Sequence, residues 1–197
     1  VIANGIVLAE DGKKMSKKLK NYPDPMDVIN KYGADSLRYF LVTTGVMKAE
    51  DLCFSEKGVD EVYKKVVLIL MNVLSFYELF AGNVWVQNFE PGKPSSNVLD
   101  KWILTKLNLM IKEMTEEIEK YDLPRAAKPL ADFINELSTW YVRRSRDRFK
   151  GEDKDSALAT LREVLTKLSL SMAPFMPYMA EHLWLTLGNK ESVHLQT

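Results

Sequence analysis

Residues 59–80 read VDEVYKKVVLILMNVLSFYELF, and this stretch decides the fold. Apolar residues recur in it every three or four positions: Val59, Val62, Val66, Leu70, Val73, Tyr77 and Phe80. That spacing places them on one face of an α-helix. The longest wholly apolar run, residues 66–71, is far shorter than the roughly 20 residues that a bilayer requires. The pattern therefore predicts an amphipathic helix that packs on other helices, and no membrane partner.

The same helical period continues on both sides of this stretch. Upstream, Asp24 and Pro25 predict the start of a short helix and Gly33 its end, followed by a second helix over 35–42. Downstream, Gly82 is expected to end the first long helix, residues 83–97 read as a linker, and Asp122 is expected to cap a later helix. Three further helical stripes of apolar residues and a last short helix over 178–187 follow. The three stripes consist of Leu99, Ile103, Leu107, Met110, Met114, Ile118 and Tyr121; of Ala127, Leu130, Ile134, Leu137 and Tyr141; and of Leu158, Leu161, Leu165, Leu168 and Met172. Stripes joined by short connections predict a mainly α protein with an antiparallel helical bundle.

Composition narrows the partners that the chain can have. The 197 residues are 46% hydrophobic, and the 27 basic and 27 acidic residues cancel. Any contact with nucleic acid must therefore come from a local patch. The single cysteine, Cys53, excludes an internal disulfide framework and fits a reducing, cytoplasmic setting. With only two histidines, far apart in sequence, no metal site is expected.

The N-terminal residues differ in character from the rest of the chain. The strand-like runs 1–3 and 6–8, separated by Asn4-Gly5 and followed by a turn signal at Asp11-Gly12, predict a short N-terminal β-hairpin. The hairpin would carry residues 13–20, the lysine loop, whose centre reads Lys14-Met15-Ser16-Lys17-Lys18. Cationic groups this close together suit a bound polyphosphate, and the Ser16 hydroxyl can hold the loop or a phosphate oxygen. On spacing alone, a solvated surface turn is the alternative.

The lysine loop and the residues after it resemble a known family. Asn21-Tyr22-Pro23-Asp24-Pro25 follows the loop, and Tyr32-Gly33-Ala34-Asp35-Ser36-Leu37-Arg38 follows in turn. This arrangement closely resembles the KMSKS region of the class I aminoacyl-tRNA synthetases for branched aliphatic amino acids. Asp35 and Arg38, one helical turn apart, could also form an ion pair worth about half a kcal/mol.

The resemblance implies roles for the residues of the lysine loop. The second lysine of the motif, here Lys17, would hold the phosphates of ATP during amino-acid activation. Catalytic roles fall on Lys14 and Lys17, and contacts to the phosphates of ATP, which enters with Mg²⁺, fall on Lys14, Met15, Ser16, Lys17 and Lys18. Lys18 stands where the family usually has serine, and it adds a further charge.

The resemblance also implies a division of the chain. Residues 1–54 would be the end of a catalytic domain with connecting helices, and residues 55–197 a helical anticodon-binding domain. The first residue is not methionine, and the family's His-x-Gly-His motif is not found in the sequence. We therefore expect a segment of a longer enzyme that is inactive alone.

A second basic stretch lies at residues 138–150, STWYVRRSRDRFK, and we call it the arginine segment. Five cations within eight positions, after two aromatic residues, could bind an RNA backbone and stack on bases. The residues predicted to contact tRNA are Trp140, Arg143, Arg144, Arg146 and Arg148. The alternative is the solvated end of a helix, where cations suit the helix dipole, with the aromatic residues in the core.

The arginine segment is similar to that of isoleucyl-type synthetases. This similarity implies isoleucine tRNA as the partner, with ATP and isoleucine as substrates. A member of the valine or leucine branch remains an alternative. So does a non-catalytic helical module that binds RNA or acts as an adaptor.

Overall fold

The computed structural model describes residues 3–85 and 95–196. Within them the chain is mainly helical, and the predicted helical bundle is confirmed. The α-helices are α1 Pro25–Tyr32, α2 Ala34–Val42, α3 Glu56–Val62, α4 Leu68–Trp85, α5 Val98–Glu119, α6 Leu123–Glu136, α7 Arg143–Ser145, α8 Lys154–Met172 and α9 Pro177–Thr186. The predicted linker lies mostly outside the described residues.

Shorter elements complete the described chain. Strands β1 and β2 are Val7–Leu8 and Leu52–Cys53, and short 3₁₀ turns are Gly45–Lys48, Arg148–Lys150 and Val193–Leu195. A first π turn, Tyr63–Val67, joins α3 to α4, and a second π turn, Leu137–Val142, joins α6 to α7. The sequence pattern predicted neither π turn.

The main core lies between α4, α5, α6, α8 and α9. Leu70, Ile103, Leu107, Leu130 and Leu165 are among its fully buried residues. Burying each such side chain stabilises the fold by roughly 1.5–3 kcal/mol. The predicted helical stripes therefore supply the core, although the α5 stripe ends at Met114, since the later residues Ile118 and Tyr121 are exposed.

The helical run Glu56–Gly82 is long and apolar enough, by length and composition, to cross a membrane. The core helix of a bundle passes the same test, and one face of this run packs in the core. Val59, Val66 and Leu70 are buried at 2% exposure or less. The outer surface of the run carries the ion pairs Lys64–Asp60 and Lys65–Glu61, at 2.6 and 2.8 Å.

The predicted helix ends are confirmed where the capping residues are described. The Asp24 carboxylate accepts the N–H of Met26 at 2.8 Å at the start of α1, and the Asp122 carboxylate accepts the N–H of Arg125 at 3.2 Å in α6. Gly82 has φ 61° and ψ 176°, so the helical conformation is interrupted at the predicted position.

The predicted β-hairpin is wrong in its pairing. β1 pairs with β2 in parallel, with Val7 opposite Leu52. Two hydrogen bonds hold the segment after α2 beside β1. The Gly5 N–H donates to the Val46 carbonyl at 2.7 Å, and the Ile6 N–H donates to the Asp51 carboxylate at 3.0 Å. A Cβ at Gly5 would lie 1.9 Å from the Glu50 carbonyl oxygen, so only glycine allows this approach. Residues 1 and 2 of the predicted first strand lie outside the described residues.

A small second cluster lies beside the sheet. Its buried members are Val28, Tyr32, Phe54 and Val59, and Met15 is among the residues packed against it. Phe54 and Val59 share this cluster, so packing is continuous across the predicted division of the chain after residue 54.

Helix α2 connects the small cluster to the main core. Its Phe40 side chain packs on the small cluster, whereas Tyr39 is buried in the main core. The Tyr39 hydroxyl donates to the Ala127 carbonyl at 2.7 Å. One helix thus touches both the region that holds the lysine loop and the bundle.

The expected ion pair between Asp35 and Arg38 does not form between these two described residues, because both bond to the chain around the start of α9. The Asp35 carboxylate accepts the Met179 N–H at 2.6 Å, and the Arg38 guanidinium donates to the Pro174 carbonyl at 2.9 Å. Burial raises the pKa of Asp35, and the backbone N–H groups of α9 and the charge of Arg38 oppose that rise. Asp35 thus caps a helix some 140 residues away in sequence.

Candidate functional site: a lysine loop and an arginine segment

The lysine loop begins at a tight turn and is closed by one asparagine. Gly12, at φ 78°, turns the chain so that Leu8 and Lys14 form an antiparallel bridge. The Asn21 side chain then bonds twice: it accepts the Ser16 N–H at 2.9 Å and donates to the Lys14 carbonyl at 3.2 Å. Asn21 was not predicted as a site residue, although side chains of this kind often bond to nearby backbone.

Met15 fixes the loop to the protein. It is half-buried and packs against the small cluster. Because a thioether is a poor partner for an anion, any contact of Met15 with phosphate would come from its backbone. The side chain of Met15 thus positions the lysines on either side of it.

The lysines of the loop point their charges to solvent. Lys14, Lys17 and Lys18 are exposed, and the loop's one ion pair within the described residues joins Lys13 to Asp11 at 3.3 Å. Lys14, Lys17 and Lys18 therefore have no carboxylate partner in the described parts of the chain. The half-buried Ser16 hydroxyl likewise makes no hydrogen bond there. Three uncompensated cations beside a free hydroxyl form a surface suited to a polyphosphate.

The arginine segment runs along the second π turn and α7. Tyr141 is fully buried, so for this residue the core alternative is correct. Trp140 is 51% exposed, and the Arg144 guanidinium lies 4.2 Å from the centre of its ring. This is a cation–π contact that occupies one face of the indole. A base could therefore stack only on the other face while the contact persists.

The arginines divide into two groups. Arg143, Arg144 and Arg146 are exposed and form no ion pair within the described residues. Arg148 is different, because its side chain is only 14% exposed. Its two terminal nitrogens each donate to the Asp100 carboxylate at 2.7 Å, and its Nε donates to Asp153 at 2.7 Å.

Asp100 is the centre of a buried polar network. This fully buried carboxylate also accepts the Tyr141 hydroxyl at 2.7 Å and the Ser95 hydroxyl at 2.5 Å. We call Asp100, Ser95, Tyr141, Arg148 and Asp153 the Asp100 network. Arg148 was predicted to contact tRNA, and in this structure all three of its guanidinium nitrogens are bonded to Asp100 and Asp153. One feature of the sequence could have indicated this network: Asp100 is an acidic residue one helical turn before Ile103, at the start of the apolar stripe of α5.

The protonation states in the network follow from these contacts. Burial by itself would raise the pKa of Asp100, but hydrogen bonds from Arg148, Ser95 and Tyr141 and the charge of Arg148 hold that pKa below its usual value. Hydrogen bonding to Asp100 raises the pKa of Arg148, and burial followed by the charge of Asp100 raises the pKa of Tyr141. The network is therefore a carboxylate and a guanidinium, both charged, with a neutral phenol.

Metal-binding side chains are not grouped in the described residues. Among residues 3–85 and 95–196, no three His, Cys, Asp or Glu side chains lie close enough together to hold a metal ion.

Two protein families match different parts of the chain. Residues 1–53 match the family described as tRNA synthetases class I (I, L, M and V), and residues 100–197 match the anticodon-binding domain of tRNA ligase. The chain is 46% identical to the isoleucine–tRNA ligase of Chlamydia trachomatis serovar D, over 99% of the chain. It is also 46% identical to that of Chlamydia muridarum over the same share.

The chain spans about a fifth of these relatives, since the match covers 20% of each. A solved structure of similar fold is the ternary complex of Agrobacterium radiobacter K84 agnB2 LeuRS with tRNA and LeuAMS. The TM-score is 0.67 at 24% identity, over 96% of this chain and 22% of that one. This likeness shows the fold, and the sequence matches show the family.

Proposed function

The chain belongs to the class I aminoacyl-tRNA synthetases, and we propose that it is the part of an isoleucine–tRNA ligase that holds the phosphates of ATP and binds isoleucine tRNA. The arrangement of the lysine loop carries this proposal. Lys14, Lys17 and Lys18 have no carboxylate partner among the described residues, while Met15 and Asn21 hold the backbone between them. Charge is concentrated where the family binds ATP.

In amino-acid activation, the carboxylate of the amino acid attacks the α-phosphorus of ATP. A carboxylate–phosphorus bond forms, the bond to pyrophosphate breaks, and negative charge builds on the departing group. A cation positioned at that group stabilises the transition state more than it stabilises bound ATP. Lys17, assisted by Lys14 and Lys18, would supply this cation. Mg²⁺ would enter bound to the ATP phosphates, and isoleucine would bind in a part of the enzyme outside this chain.

The exposed residues of the arginine segment would contact the tRNA. Arg143, Arg144 and Arg146 offer three uncompensated charges on one short segment, and Trp140 adds an exposed aromatic ring. Phosphate contacts position an RNA without reading its sequence, so recognition of the anticodon region requires contacts to unpaired bases as well. We retain the proposed division into residues 1–54 and 55–197. We place the enzyme in the cytoplasm, where its reducing setting suits an unpaired Cys53.

Charging of three tRNAs tests the proposal. We expect a complete enzyme carrying this segment to have its highest kcat/KM with isoleucine and isoleucine tRNA, compared with the valine and leucine pairs. Preference for either of those pairs would overturn the isoleucine assignment and leave the class intact. The chain alone should not catalyse isoleucine-dependent exchange of pyrophosphate into ATP. A complete enzyme with no charging activity towards any of the three would favour an adaptor that binds RNA.

A further inference from the structure

A cleft of about 450 Å³ lies where the turn between α1 and α2 meets the start of α9, and we call it the α9 cleft. It is lined by Ile29 and Tyr32 from α1, by Val67 from the first π turn, and by Met179 and His182 from α9. The lining is mostly apolar. The volume lies within the range of small-molecule sites, about 300–1,000 Å³. The α9 cleft is therefore large enough to hold a ring system.

Asp35 borders the α9 cleft and has one carboxylate oxygen without a partner. The residue is only 7% exposed. Its Oδ2 accepts the Met179 N–H at 2.6 Å, whereas its buried Oδ1 makes no hydrogen bond within the described residues. Nearly all buried polar side-chain atoms in proteins have a partner. A buried acceptor without one, beside an apolar cleft, indicates a place for a donor that the chain itself does not supply.

The side-chain donors closest to Asp35 in sequence are committed to other acceptors. The Ser36 hydroxyl donates to the Tyr32 carbonyl at 2.7 Å, and the Tyr32 hydroxyl donates to Glu56 at 3.0 Å. The Arg38 guanidinium donates to the Pro174 carbonyl at 2.9 Å. None of these three groups is left for the unpartnered oxygen.

The charge beside the α9 cleft favours a neutral donor over a cation. Burial raises the pKa of Asp35, and the backbone N–H groups of α9 and the charge of Arg38 oppose that rise. Arg38 therefore already supplies positive charge to this carboxylate. A second cation would be repelled by Arg38 and would have to lose its water in a mostly apolar cleft. A neutral N–H or O–H group meets neither cost.

We propose that the α9 cleft binds a small planar apolar molecule that carries one neutral N–H or O–H donor, such as an indole or a phenol. The donor bonds to the Oδ1 of Asp35, and the ring lies against Ile29 and Met179. Contact between a thioether and an aromatic ring is favourable. Such a molecule joins the turn between α1 and α2 to α9, so it stabilises the packing between them. This inference does not depend on the proposed binding of ATP or tRNA.

NMR titration of this chain with matched pairs of probes tests the α9 cleft. Indole has one N–H donor, and 1-methylindole has the same rings without it. We expect the Kd for indole to be roughly 5- to 150-fold lower, the factor for leaving one buried acceptor unsatisfied. Benzyl alcohol should likewise bind more tightly than benzylamine, which is charged at pH 7. Tighter binding of benzylamine would overturn the choice of a neutral donor.

Three variants locate the binding site of indole. Val67→Phe fills the α9 cleft and should abolish measurable binding. Leu68→Phe is the matched control, since Leu68 is the next residue, is exposed and does not line the cleft. Asp35→Asn keeps an oxygen for the Met179 N–H but replaces the unpartnered oxygen by an amide NH₂. It should remove the preference for indole over 1-methylindole, and it provides a test even if Val67→Phe does not fold.

Each contrary result overturns a stated part of this inference. Equal Kd values of the parent chain for indole and 1-methylindole would exclude the hydrogen bond to Asp35. Unchanged binding of indole to Val67→Phe, or an equal loss in Leu68→Phe, would exclude the α9 cleft as the site. No binding of indole to the parent, up to the solubility of the probe, would overturn the proposal as a whole. None of the probes contains phosphate or RNA, so these results leave the proposed function unaffected.

Discussion

The lysine loop and the arginine segment carry positive charge at similar density, but the protein holds that charge in different ways. In the lysine loop, Lys14, Lys17 and Lys18 face solvent with no carboxylate partner among the described residues. In the arginine segment, Arg143, Arg144 and Arg146 likewise have no carboxylate partner among the described residues, whereas Arg148 is bonded to Asp100 and Asp153. Neither acid is next to Arg148 in sequence. The role of a cation is therefore set by acids that the fold brings to it.

The two regions also differ in how they are held. The backbone of the lysine loop is held by Asn21, and Met15 provides an apolar contact with the small cluster. The arginine segment is held by the fully buried Asp100 and Tyr141. Segments with few buried contacts open at low free-energy cost, and segments tied to the core do not. A loop that closes on phosphates suits the first arrangement, and a rigid platform for RNA suits the second.

The largest expected effect is on stability, and it distinguishes arginines within one segment. Arg148→Ala leaves the buried Asp100 without its main counter-charge, and removal of one partner of a buried pair costs about 3–5 kcal/mol. Arg146→Ala is the matched control, because this exposed arginine has no ion-pair partner in the described residues and should change stability by at most about 0.5 kcal/mol. Urea unfolding of the chain measures both. Equal losses would mean that Arg148 is not a structural residue.

The decline of stability at acid pH provides a second test of the Asp100 network. The folded-state pKa of Asp100 is lowered, so its carboxylate contributes stability above the unfolded-state value, which is about 3.9 for aspartate. That contribution is lost as pH falls through the lower folded-state pKa. Asp100→Asn should therefore remove part of the stability at pH 7 and flatten its decline below about pH 4. A variant whose decline in acid matches that of the parent would contradict a charged Asp100.

The next effect is on catalysis and concerns the free charges of the lysine loop. In a complete enzyme carrying this segment, Lys17→Ala should reduce the rate of isoleucine activation by about 10²- to 10³-fold, as for loss of one positioned electrostatic contact. Pyrophosphate exchange measures that rate. Lys20→Ala is the control, since Lys20 is exposed in the same loop but lies outside the matched motif. A comparable loss in both variants would indicate general attraction of ATP rather than a positioned cation.

The sequence predicted those features that depend on local spacing. The stripes of α4, α5, α6 and α8, the capping residues Asp24 and Asp122, and the interruption at Gly82 all follow from residues within a few turns of one another. What could not be predicted depends on residues far apart in sequence. Leu52 is the partner of Val7, and Asp100 is the partner of Arg148. Neither contact leaves a periodic signal.

The candidate site shows the same distinction. The motif of the lysine loop was recognised from adjacent residues, but the supporting role of Met15 depends on a cluster built from α1, α3 and Phe54, the residue after β2. A groove between α4 and the second π turn, beside the arginine segment, was missed altogether. Asn72 and Phe76 come from a helix that precedes the segment by some 70 residues, and only the packing of α4 on the second π turn brings them together.

The smallest expected effect is on the salt dependence of tRNA binding, and it concerns the three exposed arginines of the arginine segment. Each phosphate contact releases counterions, so removing one arginine should lower the log–log salt slope of tRNA binding by roughly 0.7 to 0.9. We expect this change for Arg143→Ala and Arg146→Ala. Arg144→Ala should show it too if its guanidinium reaches a phosphate while it lies over Trp140. The measurement is Kd for isoleucine tRNA between about 50 and 200 mM salt, the range over which such contacts lose affinity.

Arg125→Ala is the control for those three variants. Arg125 is also exposed, but it lies 3.6 Å from Asp122 at the start of α6, outside the arginine segment. Its loss should leave the slope unchanged, because a surface pair of this kind is already partly neutralised and contacts no RNA phosphate. If all four variants lower the slope equally, tRNA is attracted by the general charge of the surface. If only the arginine segment responds, the exposed arginines contact the RNA backbone, and Arg148 stabilises the segment that presents them.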